Sequence, residues 1–443
     1  MRSCGKQCLF LLFSACVFGL AGCGRPQPDN SASQSATEAA RAAEQPPQAK
    51  TEITAGNSGE TADVTKPFSD EELTRLVGAI ESAVAHFSEK ELDALLSPES
   101  LTRTTLAGLA LSAEDRAGFQ EAVADSFRNV FHTVLAGCRE GGDYRFVRII
   151  NRHDQKTLLF RLTLPEAEGL NYHEMILARG NGEAPQIADL LVWKTGQRLS
   201  GTFRMANLES LVEAAGETAR LSEQDQLCVQ QMSKLREMRE LTAAGKFRET
   251  EEIYNAFPDE FQKQKVALDL RLNAAEGSGG ETLRQAIGAL RSSLPDDTSL
   301  PFRSLAFHAS VDEWTQMVSA ADAIQQATGD PYAAILKVQP LLEMKQTDSA
   351  MNAIRSVRAV AESDPNVYWL DLHLRMQQGD NAGTATLLQE MQTRFGLEFN
   401  RLEQIPEYAG FLQSAEGKAW LEAQAEASAA ANSSGDAGNP PKP

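Results

Sequence analysis

Five polar residues in strand-like segments are the main candidates for chemistry in this sequence of 443 residues. Each lies in a stretch where apolar residues recur with a period of two, which indicates β-strands. If the sheet curved around a pocket, their imidazole, guanidinium and carboxylate groups could orient a small ligand. The five candidates are Arg148, Arg161, His173, Glu174 and Asp189.

Neighbouring strand residues point to opposite faces of a sheet, so His173 and Glu174 cannot line the same pocket. One face would present one of them, together with some of the other three residues. The simpler interpretation, which we favour, is that all five lie on a solvated face, as polar residues of half-exposed strands do.

Patterns with a strong link to catalysis are absent from the sequence. It contains no H-E-x-x-H zinc motif, no G-x-S-x-G nucleophile turn, no phosphate-binding Walker loop and no dinucleotide fingerprint. None of the six histidines pairs with another at metal-ligand spacing. We therefore expect a protein without enzymatic activity, cofactor or metal.

The charge balance excludes one large class of partner. The chain has 61 acidic and 42 basic residues and a formal net charge of −19. Nucleic-acid binding depends on Lys and Arg contacts with phosphates, so an acidic protein of this kind is not expected to bind nucleic acid.

The region of residues 68–215 begins with helical patterns and continues with strand patterns. Ser69 with Glu72 forms a capping box, Ser88 with Glu91 repeats this start signal, and a longer helix begins after Ser112. We expect Gly137 to end that longer helix. Its apolar stripe consists of Phe119, Val123, Phe127, Val130, Phe131 and Val134.

After Gly137 the period changes to two, and two turn-like segments separate the strands. These segments are His153-Asp154 and Gly180-Asn181-Gly182. Helices followed by an antiparallel meander predict an α+β domain, with one sheet face packed on the helices. The order of elements resembles the nuclear-transport-factor-2-like fold, in which a curved sheet wraps a long helix.

No strand pattern follows in residues 216–421, where prolines recur at a nearly constant spacing. The intervals between them are 37, 36 and 34 residues, at Pro258, Pro295, Pro331 and Pro365. A period of this size indicates paired helices in repeats. The dipeptide Asp-Pro occurs at two of these positions.

The segment Ala244-Gly245-Lys246-Phe247, followed by Tyr254 and Pro258, resembles the second half of a tetratricopeptide repeat. Gln378-Gly379-Asp380 fits the same turn, whereas Gln346-Thr347-Asp348 lacks the usual glycine. The resemblance implies a degenerate, tetratricopeptide-like all-α domain whose helices bind a protein or peptide. Tyr368 and Trp369 could line such a partner groove, since aromatic residues anchor interfaces.

Residues 407–421 resemble a capping helix with Tyr408, Phe411 and Trp420 on one side. The last segment, residues 422–443, consists mainly of Ala, Ser, Gly and Pro. We expect this tail to be disordered.

The N-terminus has the parts of a secretory signal: Arg2 and Lys6, then a short apolar run, then Leu20-Ala21-Gly22-Cys23. These four residues resemble the lipobox of bacterial lipoproteins. The resemblance implies removal of residues 1–22 by cleavage between Gly22 and Cys23, and acylation of the Cys23 thiol and of its new amine. Loss of Arg2 and Lys6 would bring the net charge from −19 to −21.

Residues 23–67 contain few large apolar side chains and predict a lipid-anchored, disordered tether. Gly24 follows the cysteine in place of aspartate, which in the enterobacterial sorting pattern implies the outer membrane, with the body facing the periplasm. The lipid bilayer would then be contacted through acylated Cys23.

Two cysteines remain in the folded body, Cys138 and Cys228. An exported compartment permits a disulfide between them. Two buried free thiols fit the sequence equally well, because cysteine packs as a small hydrophobic residue.

These patterns lead to one principal hypothesis for function, a non-enzymatic envelope lipoprotein that acts as an interaction scaffold through its helical repeats. The alternative is a small-ligand-binding or enzymatic α+β domain displayed on a lipid anchor. The sequence does not identify the protein partner or a ligand.

Overall fold

The computed structural model describes residues 67–152, 155–164, 169–179, 184–216, 219–399 and 402–435, with side chains to residue 426. The predicted signal peptide, Cys23 and nearly all of the predicted tether lie outside these ranges. Both predicted turn segments, His153-Asp154 and Gly180-Asn181-Gly182, also lie outside them.

Four helices precede the sheet, and serines cap three of them as the sequence predicts. Ser69 and Glu72 form the complete capping box, while Ser88 and Ser112 accept hydrogen bonds from backbone N–H groups three residues later. The helices are α1 (Asp70–Ala85), α2 (Glu89–Asp93), α3 (Pro98–Thr105) and α4 (Ala113–Arg139).

The prediction that Gly137 ends the long helix is wrong, because α4 continues to Arg139. A Cβ at Gly137 would lie 2.4 Å from Cδ2 of Leu164. The glycine therefore lets strand β2, which includes Leu164, lie close to the helix.

The strands form a five-stranded antiparallel meander in the order β1-β2-β3-β4-β5. Register places Phe160 opposite His173 on one face and Leu159 opposite Glu174 on the other. The strands are β1 (Asp143–Arg152), β2 (Gln155–Leu164), β3 (Gly169–Arg179), β4 (Pro185–Val192) and β5 (Gln197–Arg198).

The rest of the described chain is helical, which confirms an α+β region followed by a helical region. The main helices are α5 (Leu199–Ala215), α6 (Glu223–Ala243), α7 (Phe247–Asn255), α8 (Asp259–Gln262), α9 (Lys265–Ser278), α10 (Gly280–Ser293), α11 (Leu300–Ser310), α12 (Trp314–Thr328), α13 (Val338–Glu343), α14 (Thr347–Arg358), α15 (Pro365–Gln378), α16 (Asn381–Phe395), α17 (Ala409–Gln413) and α18 (Ala415–Gly435). A 3₁₀ helix (Pro331–Lys337) joins α12 to α13, and two short ones precede α17.

The Asp-Pro dipeptides are helix starts. Asp330 accepts a hydrogen bond from the Tyr332 N–H at 3.0 Å, and Asp364 accepts one from Asn366 N–H at 2.9 Å. Proline suits this position because the first N–H of a helix has no partner inside the helix.

Glycines with positive φ form two of the helix turns, at Gly245 (φ 71°) and Gly379 (φ 68°). Before α14, where the sequence lacks a turn glycine, Lys345 takes the left-handed conformation with φ 59°. A non-glycine residue adopts this conformation at a cost, so this turn is locally strained.

The predicted capping helix, residues 407–421, is divided among three helical segments. The 3₁₀ turn Pro406–Tyr408 and α17 lead into α18, which carries the buried Trp420. Helix α18 reaches Gly435, so helical backbone extends beyond residue 422, where we expected the disordered tail to begin.

The two faces of the sheet belong to different cores. One face packs on α1 and α4 with Leu158, Phe160 and Met175. The other face packs on the helical region, where Leu159 and Tyr172 join a cluster that includes Tyr332. The two regions are therefore in direct contact.

Cys138 and Cys228 are free, buried thiols in different clusters. Burial raises the pKa of each thiol to about 12. Of the two alternatives that the sequence left open, the structure supports free thiols over the disulfide.

Side chains of the sheet hold the start of helix α1 in place. The Arg179 guanidinium stacks over the Phe68 ring at 4.7 Å and donates from Nη1 to Glu72 Oε1 at 2.9 Å. Lys156 Nζ donates to Asp70 Oδ1 at 2.6 Å. Because Lys156 is the second residue of β2 and Arg179 is the last residue of β3, the start of α1 is held at one end of this strand pair.

Within the described ranges, no helix combines the length and apolar character that a membrane span requires.

Candidate functional site

His173 is fully buried on the face of the sheet that packs on α1 and α4. Its Nδ1 lies 3.2 Å from the Tyr144 hydroxyl, and its Nε2 is buried without a partner among the described residues. Burial lowers the pKa of His173 to about 4 and raises that of Tyr144, so at neutral pH both groups are uncharged, and the imidazole tautomer decides which of them donates. His173 thus belongs to an apolar core and does not face a ligand.

Glu174 is 1% exposed on the opposite face, and protein groups occupy both of its oxygens. Arg152 donates to Oε1 at 2.6 Å and to Oε2 at 3.0 Å. Thr157 Oγ1 and Trp193 Nε1 donate to the same carboxylate at 2.8 Å and 3.0 Å. A carboxylate with four donors is a structural anchor with no oxygen left for a ligand.

Asp189 connects strand β4 to the start of helix α5. Its carboxylate accepts hydrogen bonds from the Ser200 backbone N–H at 3.1 Å and from the Ser200 hydroxyl at 2.5 Å. Burial raises the pKa of Asp189, and these hydrogen bonds oppose that shift. The residue therefore caps a helix from a neighbouring strand.

Arg161 holds the sheet to the helical region. Its Nη1 donates to both carboxylate oxygens of Asp330 at 3.1 Å, and its guanidinium lies 4.0 Å from the Tyr332 ring centroid. Tyr172 donates its hydroxyl to Asp330 Oδ2 at 3.0 Å. Burial raises the pKa of Tyr172, so this hydroxyl remains a donor.

The contact continues along the helical region, because the Tyr332 hydroxyl donates to Asp364 Oδ2 at 2.8 Å. The two Asp-Pro starts are therefore linked to each other and to the sheet.

Arg148 is exposed and donates from Nη2 to the Ala327 carbonyl at 2.7 Å. The favoured prediction of a solvated face holds for this residue alone. It is wrong for Arg161, His173, Glu174 and Asp189, which are 4%, 0%, 1% and 3% exposed. The reason is that helices cover both faces of the sheet.

The two residues of the predicted partner groove have different environments. Tyr368 is 1% exposed, with the Arg358 guanidinium 4.4 Å from its ring centroid, so it is a core residue. Trp369 is 40% exposed and contacts the Phe399 ring edge-on at 5.7 Å between centroids. Only Trp369 is available to a partner.

A cleft of about 470 Å³ opens where the α+β region meets the helical region. We call it the junction cleft, and the β4–β5 turn and helices α5, α6, α9 and α11 form its walls. Gly196 in that turn has φ 64°, and a Cβ there would lie 2.3 Å from Asp297 Oδ1. Glycine is required for the turn to pack against Asp297.

Basic side chains outnumber acidic ones among the residues that line the junction cleft. Its basic lining residues are Lys194, Arg198, Arg239, Lys265 and Arg303, and its acidic lining residues are Asp269 and Glu276. Apolar side chains of Met205, Val266, Leu270 and Phe302 also line the cleft.

Both acids of the cleft have protein partners. Asp269 accepts from Lys265 Nζ at 3.1 Å and from Gln197 Nε2 at 2.7 Å, and Glu276 pairs with Arg303. Lys265 also contacts Asp297 at 2.8 Å.

Sequence reasoning missed this cleft, because its lining comes from four helices and a turn that are distant in sequence. A cation-rich turn, Lys194 to Arg198 with a central glycine, was the one local signal. Among the described residues no group of three or more His, Cys, Asp or Glu side chains is arranged to bind a metal ion.

No protein-family model matches this chain, and neither the curated proteins nor the solved structures include a significant match.

Proposed function

We propose that this chain is a lipid-anchored protein of the bacterial envelope that binds a protein partner through its C-terminal helices. The anchor would be Cys23, acylated after cleavage at Gly22, on the outer membrane facing the periplasm. The basis for this step is the resemblance of Leu20-Ala21-Gly22-Cys23 to a lipobox after a basic and apolar leader.

The observation that best supports the binding role is the distribution of exposed apolar side chains. Of the five large hydrophobic residues that are exposed within the described ranges, four lie in residues 360–421: Val360, Trp369, Ile405 and Leu421. Exposed aromatic and aliphatic side chains are typical anchors of protein interfaces.

The helical region also supports a scaffold. Helix pairs such as α9–α10 and α15–α16 pack against each other, as expected for a tetratricopeptide-like domain. Repeats of helix pairs offer extended surfaces without requiring catalytic groups. We keep the tetratricopeptide-like and nuclear-transport-factor-2-like assignments as proposals.

Deleting the helices would be a poor test, because it would expose the sheet face that bears Leu159 and Tyr172. A point substitution, Trp369→Ala, removes the proposed anchor and leaves the cores intact. Crosslinking in membranes followed by mass spectrometry should show loss of the partner with this variant. The matched control is Phe87→Ala. Phe87 is also an exposed aromatic residue (37% exposed), but it lies in the α+β region, far from Trp369 in the sequence.

Unchanged crosslinks with Trp369→Ala would reject the proposed surface. The anchor is tested separately by Cys23→Ser, which should move the protein out of the membrane fraction. An unlipidated product that still pellets with membranes would reject the anchor.

A second candidate function is small-ligand binding. The sheet does not support it, because His173 is buried in an apolar core and protein groups occupy the carboxylates of Glu174 and Asp189. The junction cleft does support it, since its volume is typical of sites for small molecules.

A further inference from the structure

We infer that the junction cleft binds an uncharged, mainly apolar small molecule that carries a hydrogen-bonding group such as a carboxamide. This inference rests on the second candidate function, small-ligand binding, and specifies the chemical class of the ligand. Three observations support it: the apolar parts of the lining, the internal pairing of the charged residues, and one amide side chain without a partner.

Two of the helices that form the cleft contribute apolar side chains to its lining. On α9, Val266 and Leu270 are about one helical turn apart, and on α5 Met205 and Ala206 line the cleft. All four side chains are at least partly exposed. They remain in contact with water unless a ligand covers them, and covering them gains free energy in proportion to the apolar area buried.

Two separate hydrophobic clusters contribute to this lining. Phe302 belongs to the cluster that contains Tyr332. Met205, Val266 and Leu270 pack against a different cluster, formed by helices α5 to α11. An apolar ligand in the cleft would contact side chains from both clusters. Because such a ligand binds the folded chain, we expect it to raise the melting temperature.

The charged residues of the cleft are largely paired within the protein. Lys265 contacts Asp269 at 3.1 Å and Asp297 at 2.8 Å. Arg303 pairs with Glu276. Two further basic residues of the lining also interact with other groups of the chain, Lys194 and Arg239.

Arg198 is the remaining basic residue of the lining, and it does not make the cleft an anion site. Its side chain is exposed, so water and salt screen its attraction for an anion. Its positive charge also opposes the rise in the pKa of the buried Asp189 carboxyl. A charged ligand would therefore lose its hydration inside the cleft without gaining an unpaired counter-charge there.

Asn273 supplies a polar group without charge. It lies on α9 three residues after Leu270, in the lining of the cleft, and its side chain is partly exposed. Its amide has no hydrogen-bond partner among the described residues. An amide offers both a donor and an acceptor, and a carboxamide on the ligand can complement both of them.

The test uses the full chain in nanodiscs of zwitterionic lipid, with empty nanodiscs as the blank, and equilibrium dialysis as the assay. The probes are 4-phenylbutanamide, 4-phenylbutyrate and 4-phenylbutylamine, which share one apolar body and differ in the charge of the head group. We expect the amide to bind about tenfold tighter than the acid or the amine, because a charged head group loses hydration that the cleft does not replace. Acetamide, which lacks the apolar body, should not bind.

Two variants assign the binding to this cleft. Asn273→Leu keeps a side chain of similar size without its hydrogen bonds, so it should weaken binding of the amide about fivefold. Ala206→Trp should fill the cleft and abolish binding of the amide, and because Ala206 is exposed, the larger ring should not disturb a core. The matched control is Ala423→Trp, which adds the same ring to an exposed alanine on α18, outside the cleft. Melting temperatures without ligand check that each variant is folded.

The possible results separate the ligand class from the site. Binding of the acid or the amine as tightly as the amide overturns the uncharged class and leaves small-ligand binding standing. Binding of the amide that Ala206→Trp does not weaken overturns the site, and binding that Asn273→Leu leaves unchanged overturns the role of that side chain. Absence of binding by every probe overturns both the inference and the function on which it rests.

Discussion

His173 and Glu174 are adjacent on one strand, and both are buried, but they serve different purposes. The face with His173 is an apolar core in which one imidazole nitrogen has no described partner. The face with Glu174 combines apolar packing with a buried carboxylate. Arg152, Thr157 and Trp193 donate hydrogen bonds to that carboxylate. The first face stabilises the α+β region, and the second also orients that region against the helices.

This difference has an energetic basis. An apolar core gains from the area it removes from water and tolerates small chemical changes of similar volume. A buried ionic contact gains little net free energy, but loss of one partner leaves a buried charge without compensation. The second face should therefore be far more sensitive to single substitutions of its polar residues.

The largest effect should come from Asp330→Ala, which leaves the buried Arg161 guanidinium with only its longer contact to Asp143 at 3.6 Å and leaves the Tyr172 hydroxyl without its acceptor. The side chains of Arg161 and Asp330 are 5% and 4% exposed, so we expect a loss of about 3–5 kcal/mol of unfolding free energy. Asp322→Ala is the control, because Asp322 is 58% exposed in its pair with Lys337 and should cost below about 1 kcal/mol. Equal losses in urea unfolding would contradict the role of Asp330.

The next effect is the pH dependence that His173 introduces. Its pKa is about 4 in the folded protein and about 6.5 when unfolded. Between these values the unfolded state binds the extra proton, so stability falls as pH decreases from 6.5 towards 4. The total loss should be about 3 kcal/mol.

The double variant Tyr144→Phe/His173→Phe isolates this contribution. The slope of unfolding free energy against pH, measured by urea unfolding, should correspond to up to one fewer proton in the variant than in the parent chain. The carboxylates titrate in both proteins, so their contribution cancels in this comparison. Parallel curves across this window would show that His173 is not buried in neutral form.

A smaller effect is expected for the same double variant at pH 7.5. Removing both partners of a buried hydrogen bond together leaves no group unsatisfied, so we expect a change within about 1 kcal/mol. This result would sharpen the contrast with Asp330→Ala. A loss of several kcal/mol would mean that the imidazole has a polar role.

The smallest effect concerns the thiols, which lie in two separate apolar clusters. Since burial raises the pKa of Cys138 and Cys228 to about 12, iodoacetamide should not label either residue in the native protein. Labelling in denaturant without a reductant should modify both, as read from peptide masses. A peptide pair joined by a disulfide would refute the free-thiol assignment.

Local signals in the sequence predicted the local structure well. Serine caps, the apolar stripe of α4 and the alternation in the strands correspond to observed elements. Gly137 was misinterpreted because its role is a contact with Leu164 from another element, and no local pattern records such a contact.

Burial of the second sheet face was the main omission. The continuous apolar run Leu158-Leu159-Phe160 is typical of a strand that is covered on both sides and was the available signal. The partner of Arg161 is 169 residues away in sequence, and a single sequence contains no information on such a pairing. The repeated Asp-Pro dipeptide indicates the period of the helical repeats, but it does not indicate that Asp330 also pairs with Arg161 of the sheet.

Arg179 and Lys156 attach the start of α1 to strands β3 and β2, and this attachment has a mechanical consequence. Tension applied to the chain at residue 67 would be delivered through Phe68, Glu72 and Asp70 to the ends of two adjacent, hydrogen-bonded strands. Helix α1 and the strand pair β2–β3 would therefore bear the tension together. If the folded region is tethered to a surface through its N-terminal segment, tension on that segment would not unfold α1 one turn at a time.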